Sequence, residues 1–452
     1  MDNYILLRNK FPTFVYHGFC VSRLEDYYEI TYDFETVGLC KFSPKLRINK
    51  RYLKKLDSMS NYIIFNIGMI ELLSYWKATC SKDVIIEAGY IDDNQILWFK
   101  KLFYYGLGEL FYKNNIFNSI DDFMNLKCVY KKENYYCKST NKRGYLIPIG
   151  GGKDSCVTLE LLKKSYKDNC CFMINPKNIM IECTKVAGYT EDKLFLINRI
   201  LDKQIIDLNS QGFINGHTPF SSIVAFLSYL IAYENDIEYI VLSNESSANE
   251  ETIIGTKINH QYSKSYEFEK DFNEYIHNYF DKNITYFSIL RPLSEIQISK
   301  LFSNYKKYHK IFKSCNLGSK EESWKWCCNC PKCLFTFIIL SPFLSDDEMI
   351  GIFGDNLLDR RDLLDHFLSL IGESSAKPFE CVGSIEEVNY ALNTKIENLK
   401  IINGKMPFLL DYYLKNYYKN NIDYNLLNKF NYVHNLNYKH INLLKEEWKK
   451  YV

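Results

Sequence analysis

The 452-residue sequence has little net charge and no long apolar run. Its 56 Lys and Arg residues almost balance its 54 Asp and Glu residues, which leaves a formal net charge of +2. Proteins that bind nucleic acid or membrane surfaces usually carry a basic excess, so we expect neither partner. The most apolar run, CLFTFIILSPFL, has about 12 residues and is too short to span a bilayer.

The sequence also lacks the features of a secreted protein. Its first residues, MDNYILLRNKFPTF, contain no long apolar stretch and no small-residue cleavage site. An odd number of Cys residues, 15, in a long chain without such a signal indicates reduced thiols. We therefore expect a cytoplasmic protein.

No internal repeat or low-complexity linker divides the chain. The polar segment KKENYYCKSTNKRG, residues 131–144, is the candidate domain boundary. Before it, YYEITYDFE alternates as a strand does, and YIIFNIGMIELLSYWKA has the pattern of a helix. We expect an α+β N-terminal domain at 1–140 as a candidate for substrate recognition, a second domain at 141–345, and a mainly helical C-terminal region at 346–452.

Short apolar strands alternate with helical segments after residue 145. The strand candidates are YLIPI, CCFMIN, QIIDLN, EYIVLS and ITYFSIL. Helices are predicted near 154–165, near 190–202 and over PFSSIVAFLSYLIAYEN. This alternation predicts βαβ units and a parallel sheet that is covered on both faces. Ligands of such sheets bind beyond the carboxyl ends of the strands, here in loops 150–155, 175–188, 209–219, 243–265 and 291–295.

The first of these loops is rich in glycine. It consists of Gly150, Gly151, Gly152, Lys153, Asp154 and Ser155. A glycine turn that leads into a helix lets backbone N–H groups approach an anion, and the helix N-terminus favours negative charge. Lys153 can add a positive charge and Ser155 a hydroxyl group. Because Asp154 follows the lysine, the loop is not a Walker A motif. A tight turn before a capped helix is the structural alternative.

The sequence GGGKDS resembles the pyrophosphate-binding loop, S-G-G-x-D-S, of the ATP pyrophosphatase (PP-loop) superfamily. Gly150 replaces the first serine of that motif, so one hydroxyl contact with phosphate is lost. The resemblance implies a doubly wound parallel sheet. It also implies an enzyme that splits ATP into AMP and pyrophosphate while it adenylates a substrate.

Five cysteines lie close together in SCNLGSKEESWKWCCNCPKC. They are Cys315, Cys327, Cys328, Cys330 and Cys333. Four thiolates in short loops suit tetrahedral Zn²⁺, and a site with only protein ligands is structural. We favour Cys315, Cys327, Cys330 and Cys333, a choice supported by a similar layout in the zinc-containing deazaguanine-nitrile synthases of the PP-loop superfamily. A set with Cys328 in place of Cys327 and a group of free buried thiols are the alternatives.

Four polar stretches follow other predicted strands and face the same rim as the glycine loop. Their notable residues are Asn215 and His217; Asn244 and Glu245; His260 and Lys264; and Arg291 and Glu295. Each stretch alone is a weak signal, because a histidine before a helix or a polar cap is commonly structural. Their common location at strand carboxyl ends indicates one site.

Taken together, these stretches resemble one family more closely, the UDP-N-acetyl-α-D-muramoyl-L-alanyl-L-glutamate epimerases (MurL). The resemblance rests on IPIGGGKDS, NGHTPFS, LSNESSAN, NHQYSKSYEFE, RPLSE and WCCNCPKC, in that order. It implies inversion of the terminal L-glutamate of UDP-MurNAc-L-Ala-L-Glu in peptidoglycan precursor synthesis, after a ligase that adds L-glutamate. It also implies the use of ATP and Mg²⁺ and the release of AMP and diphosphate.

The chemistry explains why such an epimerase would need ATP. A free carboxylate resists removal of the neighbouring Cα proton, because negative charge would build on negative charge. An acyl-adenylate removes that charge, so a side-chain base can take the proton and a second group can return one to the opposite face.

The resemblance implies roles for the candidate residues. Gly150, Gly151, Gly152, Lys153, Asp154 and Ser155 would hold pyrophosphate. The candidates for proton transfer or carboxylate recognition are His217, Glu245, His260 and Lys264, and those for substrate binding are Asn215, Asn244 and Arg291. A PP-loop ligase, or an enzyme that modifies a nucleobase or tRNA, is the alternative function, and a non-enzymatic phosphate-binding protein is a third.

Overall fold

The computed structural model describes residues 3–132, 135, 140–163, 168–249, 262–315, 317–318, 325–374, 377–378, 380, 382–418 and 424–451. Within these residues eleven strands form one mixed sheet, with helices packed around it. The strands are β1 (Thr13–Arg23), β2 (Tyr27–Thr36), β3 (Cys40–Phe42), β4 (Lys45–Asn49), β5 (Asp83–Ile86), β6 (Asn125–Cys128), β7 (Tyr145–Pro148), β8 (Cys170–Ile174), β9 (Leu194–Ile200), β10 (Tyr239–Leu242) and β11 (Thr285–Ser288). The helices are α1 (Asn3–Lys10), α2 (Ser58–Glu71), α3 (Leu73–Trp76), α4 (Asp93–Gly106), α5 (Gly108–Lys113), α6 (Lys153–Leu162), α7 (Asn178–Ala187), α8 (Lys203–Ser210), α9 (Phe220–Glu234), α10 (Tyr266–Tyr279), α11 (Glu295–Ser303), α12 (Pro331–Leu340), α13 (Asp346–Phe353), α14 (Leu364–Ile371), α15 (Ile385–Ile401), α16 (Phe408–Asn416) and α17 (Tyr438–Trp448).

Five parallel strands form one half of the sheet, in the order β11-β10-β7-β8-β9. Successive residues of these strands enter two different buried clusters. Leu146 and Phe172 belong to the cluster that contains residues of α9 and α10, whereas Ile147 and Cys171 belong to the one that contains residues of α6 and α11. The strands read as continuous apolar runs because both of their sides are buried.

Two predicted elements are wrong, and they lie next to each other. QIIDLN, predicted as a strand, lies in helix α8, and the segment 190–202, predicted as a helix, contains strand β9. Asp202 caps α8, and Ile205 and Leu208 are buried at helical spacing, whereas β9 has a hydrogen-bonded neighbour on each side. The predicted loop 175–188 also contains helix α7. The other four predicted strands and the helices near 154–165 and 219–235 are confirmed.

The other half of the sheet comes from residues before 140. Strands β1, β2 and β4 are antiparallel neighbours, and β5 and β6 continue the sheet beyond β1 in parallel. Alternate residues of β2, such as Ile30 and Tyr32, are fully buried, which confirms the strand predicted from YYEITYDFE. Strand β4 pairs antiparallel with β9, for example Ile48 with Ile197, so one sheet joins both sides of the proposed boundary. The domain limits themselves stay a prediction.

The described part of residues 346–452 contains helices and turns but no strand. Helix α12 accounts for most of the apolar run CLFTFIILSPFL. Every residue from Lys332 to Leu340 is buried, and the apolar ones belong to the side-chain cluster that also contains residues of the parallel strands. Over the described ranges, no helix combines the length and the apolar character needed to cross a membrane.

Candidate active site

A cavity of about 420 Å³ opens at the carboxyl ends of β7, β8 and β10. Pro148, Ile174 and Leu242, the last residues of these three strands, form part of its floor. The strand that follows β7 in the chain, β8, lies on one side of it, and β10 lies on the other side. The cavity therefore lies at the point where the strand order changes direction. Parallel sheets bind their ligands at this position.

The glycine loop forms one wall of the cavity. Gly151 has a φ of +81°, in the left-handed region that favours glycine. A Cβ atom on Gly152 would lie 3.0 Å from the Ser314 hydroxyl oxygen, so a side chain at this position would be tightly packed against the Ser314 side chain. The hydroxyl oxygen of Ser155 accepts the N–H of Gly150 at 3.1 Å, which closes the loop over the start of α6. The first N–H groups of α6 point toward the cavity end of this helix, as an anion site requires.

Lys153 is held by two carboxylates, and its predicted contribution to phosphate binding stays a prediction. Its side chain is 2% exposed, and its ammonium group contacts the carboxylates of Asp154, at 2.5 Å, and Glu295. Burial alone would lower the pKa of Lys153, but the two carboxylates outweigh that effect and raise it. Lys153 is therefore a charged group that neutralises the acidic side of the cavity.

Three carboxylates meet beside the glycine loop. Oxygen atoms of Asp154, Glu245 and Glu295 all lie within 4.8 Å of one another. Burial raises the pKa of Glu295 to about 7, with Lys153 opposing the shift and Asp154 adding to it. Burial and the charge of Asp154 also raise the pKa of Glu245, while Lys264 acts to lower it. Such a group of oxygen atoms suits a hard divalent cation, and a carboxyl group with a pKa near 7 suits proton transfer.

The C-terminal region supplies a fourth buried carboxylate behind this group. Glu387 of α15 accepts the N–H groups of Glu295, at 2.5 Å, and Ile296, at 3.4 Å, at the start of α11. Burial and the charge of Glu295 raise the pKa of Glu387 to about 7. No sequence motif indicates this contact, because Glu387 lies far along the chain in a segment without one.

Arg291 connects two loops of the site. Its guanidinium is fully buried and donates to the carbonyl oxygens of Glu245 and Lys264, both at 2.7 Å. It also pairs with the carboxylate of Glu269 at 3.1 Å. The predicted contact of Arg291 with an anionic substrate stays a prediction, whereas the structure shows this side chain fixing the positions of two candidate residues.

Of the other predicted site residues, some line the cavity and others do not. Asn244 and Lys264 line the cavity. Asn215 is exposed, and its side-chain oxygen accepts from Lys77 at 2.9 Å, away from the residues that line the cavity. His217 is half-buried in the segment before α9. His260 lies outside the described residues.

The cavity also contains residues that the sequence analysis missed. Lys313, Ser314 and Lys332 line it, and the first two lie against the glycine loop, because the backbone N–H of Lys313 donates to the carbonyl of Gly151 at 3.0 Å. Both lysines are mostly buried. Their position next to Cys315 and Cys333 in the sequence is the one signal that could have indicated them.

Four of the five clustered cysteines converge on one point beside the cavity. The sulfur atoms of Cys315, Cys327, Cys330 and Cys333 lie within 4.8 Å of one another. Cys328 is turned away, and its sulfur contacts the carbonyl of Phe353 at 3.3 Å. The geometry therefore matches the favoured set rather than the set that includes Cys328.

Comparison with known proteins gives a consistent result. Family models described as the MurL N-terminal domain and the MurL C-terminal domain match residues 6–289 and 311–404. A protein of Xanthomonas oryzae pv. oryzae (strain MAFF 311018) is 31% identical over 336 residues, 72% of each chain. One of Micromonospora sp. (strain ATCC 39149 / NRRL 15099 / SCC 1413) is 35% identical over 256 residues, 56% of this chain and 57% of the other. Both are named UDP-N-acetyl-alpha-D-muramoyl-L-alanyl-L-glutamate epimerase.

These matches, together with a cavity at the carboxyl edge of a parallel sheet, define the chain as an enzyme of the isomerase class. More particularly, the chain belongs to the MurL family.

Proposed function

We propose that the chain converts the terminal L-glutamate of UDP-MurNAc-L-Ala-L-Glu to D-glutamate, with ATP as co-substrate and with AMP and diphosphate as products. The observation that carries the proposal is one cavity lined by both the glycine cradle and Asp154, with the buried carboxylates of Glu245 and Glu295, whose pKa values are raised, within 4.8 Å of Asp154. The names of the relatives supply the substrate. Because that substrate already carries L-glutamate, a ligase that adds L-glutamate would act first.

The parallel half of the sheet is, in this proposal, a doubly wound ATP-binding fold of the PP-loop type. The strand order β11-β10-β7-β8-β9 supports it, since the chain starts in the middle and proceeds to each side in turn. The two buried clusters on alternate residues of the strands also support it, because each contains different helices.

The glycine loop would hold the phosphate groups of ATP. Backbone N–H groups of the loop and the start of α6 suit phosphate oxygens, and the hydroxyl of Ser155 adds a donor. Asp154 and Glu295 would hold Mg²⁺, because their oxygen atoms belong to one compact group and carboxylates are preferred ligands of this ion. When bound, Mg²⁺ offsets the negative charge of the phosphate groups.

The reaction begins when the carboxylate next to Cα attacks the α-phosphorus of ATP and diphosphate leaves. The acyl-adenylate has lost the carboxylate charge, so the Cα–H becomes acidic enough for a side-chain base. A second side chain returns a proton to the opposite face of Cα. Water then cleaves the adenylate and releases AMP and the D-glutamate product.

Glu245 and Lys264 are the pair that the structure favours for the two proton transfers. Both residues belong to the loops that Arg291 holds together, and the charge of Lys264 acts on the pKa of Glu245. In this assignment the Glu245 carboxylate takes the Cα proton and the Lys264 ammonium group returns one. The raised pKa of Glu245 brings its basicity closer to that required near neutral pH.

The experiment is turnover of UDP-MurNAc-L-Ala-L-Glu with ATP and Mg²⁺ in D₂O, followed by chiral analysis of the glutamate. We expect D-glutamate that carries deuterium at Cα, together with AMP and diphosphate. Omission of ATP serves as the control, and we expect no exchange there because the free carboxylate leaves the Cα–H too weakly acidic. AMP formation with neither deuterium at Cα nor D-glutamate would instead indicate a ligase on the same fold.

A further inference from the structure

The four convergent sulfur atoms have the spacing of a tetrahedral metal site. The Cys315 sulfur lies 3.2 Å from that of Cys327 and 3.7 Å from that of Cys330. The Cys333 sulfur lies 3.5 Å from each of the same two. Zinc bonds of about 2.3 Å in a tetrahedron separate the sulfur ligands by about 3.8 Å, whereas a disulfide requires about 2.05 Å. The distances therefore fit four ligands of one ion and exclude a disulfide in this arrangement.

The surroundings of the sulfur atoms fit the same interpretation. The backbone N–H of Gly318 donates to the Cys315 sulfur at 3.1 Å, and the N–H of Cys333 donates to the Cys330 sulfur at 3.4 Å. Such donors stabilise thiolates and orient them toward a metal. Thiolate ligands in a tetrahedron favour Zn²⁺ among the common divalent ions. With four protein ligands the ion has no open position, so its role is to hold the chain.

The four thiolates would hold the two chain segments that place Lys313 and Lys332 at the cavity. Cys315 directly follows Lys313 and Ser314, and Cys333 directly follows Lys332, so two ligands each adjoin a segment that lines the cavity. The Lys313 backbone is bonded to the glycine loop, and the Lys332 ammonium acts on the pKa of Glu295.

We propose that a zinc ion bound by Cys315, Cys327, Cys330 and Cys333 positions Lys313 and Lys332 as phosphate-binding residues of the cavity. Ammonium groups form charge-assisted hydrogen bonds with phosphate oxygens, and the adjacent glycine loop supplies backbone donors. Without the ion, the two cysteine segments lose their common anchor and the lysines lose their fixed distance from the loop. The affinity of the cavity for ATP therefore depends on zinc. This inference rests on the proposed function in one respect, since it takes ATP as the ligand.

The test compares zinc content and ATP affinity in the same preparations of the full chain. Zinc is measured by elemental analysis, and the ATP dissociation constant is measured by calorimetry before and after metal removal by a chelator. We expect one zinc per chain, at least a tenfold loss of ATP affinity on removal, and recovery when zinc is added back. Cobalt substitution should give thiolate-to-metal absorption, and circular dichroism shows whether the metal-free chain stays folded.

Variants separate the ligands from the lysines. Cys330→Ser should lose zinc and ATP affinity together, whereas Cys328→Ser should lose neither. Lys313→Met and Lys332→Met should each keep zinc and lose about tenfold in ATP affinity, or about 1.4 kcal/mol. Lys325→Met, a change at an exposed lysine of the same region, is the matched control. If Cys330→Ser does not fold, the chelated wild-type chain provides the same comparison.

The outcomes distinguish this inference from the proposed function. Equal ATP affinity in the zinc-loaded chain and the folded zinc-free chain would overturn the inference and leave the proposed function intact. A folded chain that contains no zinc and binds ATP would do the same. If no form of the chain binds ATP, both the inference and the proposed use of ATP are wrong.

Discussion

Two sides of the candidate active site are built in opposite ways. The glycine side, residues 150–152, offers backbone groups of adjacent residues in a conformation that one positive φ angle fixes. The acidic side, Asp154, Glu245 and Glu295, brings together carboxylates from distant segments, of which Glu245 and Glu295 are buried, and Lys153 contacts the Glu295 carboxylate 142 positions away. The first side depends on local backbone geometry, whereas the second depends on the packing that keeps its charges from water. Mutations on the two sides should therefore fail in different ways.

The largest effect is expected from a break in the glycine side. Gly151→Val places a β-branched residue at a φ of +81°, which costs about 1–2 kcal/mol in conformation and moves the N–H groups of the loop. Since several donors are displaced together, we expect ATP-dependent AMP formation to fall about 1,000-fold with the fold retained. Gly150→Ala is the control, because its Cβ would meet nothing closer than the Ser155 hydroxyl at 3.9 Å. Wild-type turnover in Gly151→Val would refute the cradle.

A break in the acidic side should uncouple the two halves of the reaction. Glu245→Gln keeps the shape of the side chain but removes the proposed base, so deuterium incorporation at Cα should fall about 100-fold. AMP and diphosphate formation should persist, because the glycine loop is unchanged. Glu267→Gln, at an exposed position on α10, should leave both rates as they are. Equal losses of AMP formation and exchange would place Glu245 with the ATP site instead.

The dependence of stability on pH sharpens the comparison. Glu295 and Glu387 have pKa values of about 7 in the folded chain against an ordinary value of 4.5, so the folded state binds more protons between these limits. Their contribution is present below pH 4.5 and is lost as the pH rises to about 7. Glu387→Gln should make this loss smaller by about 2–3 kcal/mol.

The free energy of urea unfolding measured at the two ends of this pH range tests that expectation. The exposed Glu386→Gln on the same helix is the control, and it should keep the wild-type slope. An unchanged slope in Glu387→Gln would show that its carboxylate is ionised at the same pH whether the chain is folded or unfolded.

The smallest effect is expected at Ser155, where the two sides meet. Ser155→Ala leaves the N–H of Gly150 without its acceptor and removes one donor to phosphate. We expect about a tenfold loss of ATP affinity, or about 1.4 kcal/mol, by calorimetry. Ser155→Thr keeps the hydroxyl and should restore most of the affinity. A loss that is as large in Ser155→Thr as in Ser155→Ala would point to packing rather than to the hydroxyl.

The parts of the site that local sequence determines could be predicted, and the parts that packing assembles could not. The glycine loop and the cysteine cluster were visible because their residues are adjacent and their chemistry follows from spacing. Glu387 was missed because only packing brings it to the start of α11, and Lys313 and Lys332 were missed because their place beside two cysteines was their one signal. Arg291 was identified as a charged residue after a strand, but no motif shows that its guanidinium is completely buried against Glu269 and two loop carbonyls.

Some elements of the fold follow from their sequence pattern alone, whereas others depend on the neighbours with which they pair or pack. Strands β7, β8, β10 and β11 were predicted because they are continuous apolar runs. LFLINRI of β9 and KQIIDLNS of α8 are both short and rich in Ile and Leu, so composition did not distinguish them. Pairing with β4 and β8 decides the first as a strand, and the Asp202 cap supports the second as a helix.

The pairing of β4 with β9 also affects how the chain can fold as it is synthesised. Ile48 of β4 can pair only after Ile197 of β9 has been synthesised. The pairing that completes the centre of the sheet therefore forms only after a long loop has closed. Until then β4 presents one row of unpaired backbone groups, since β2 occupies only its other edge. Open edges of this kind recruit strands from other chains. A nascent chain that stalls before β9 would therefore be prone to aggregation through β4.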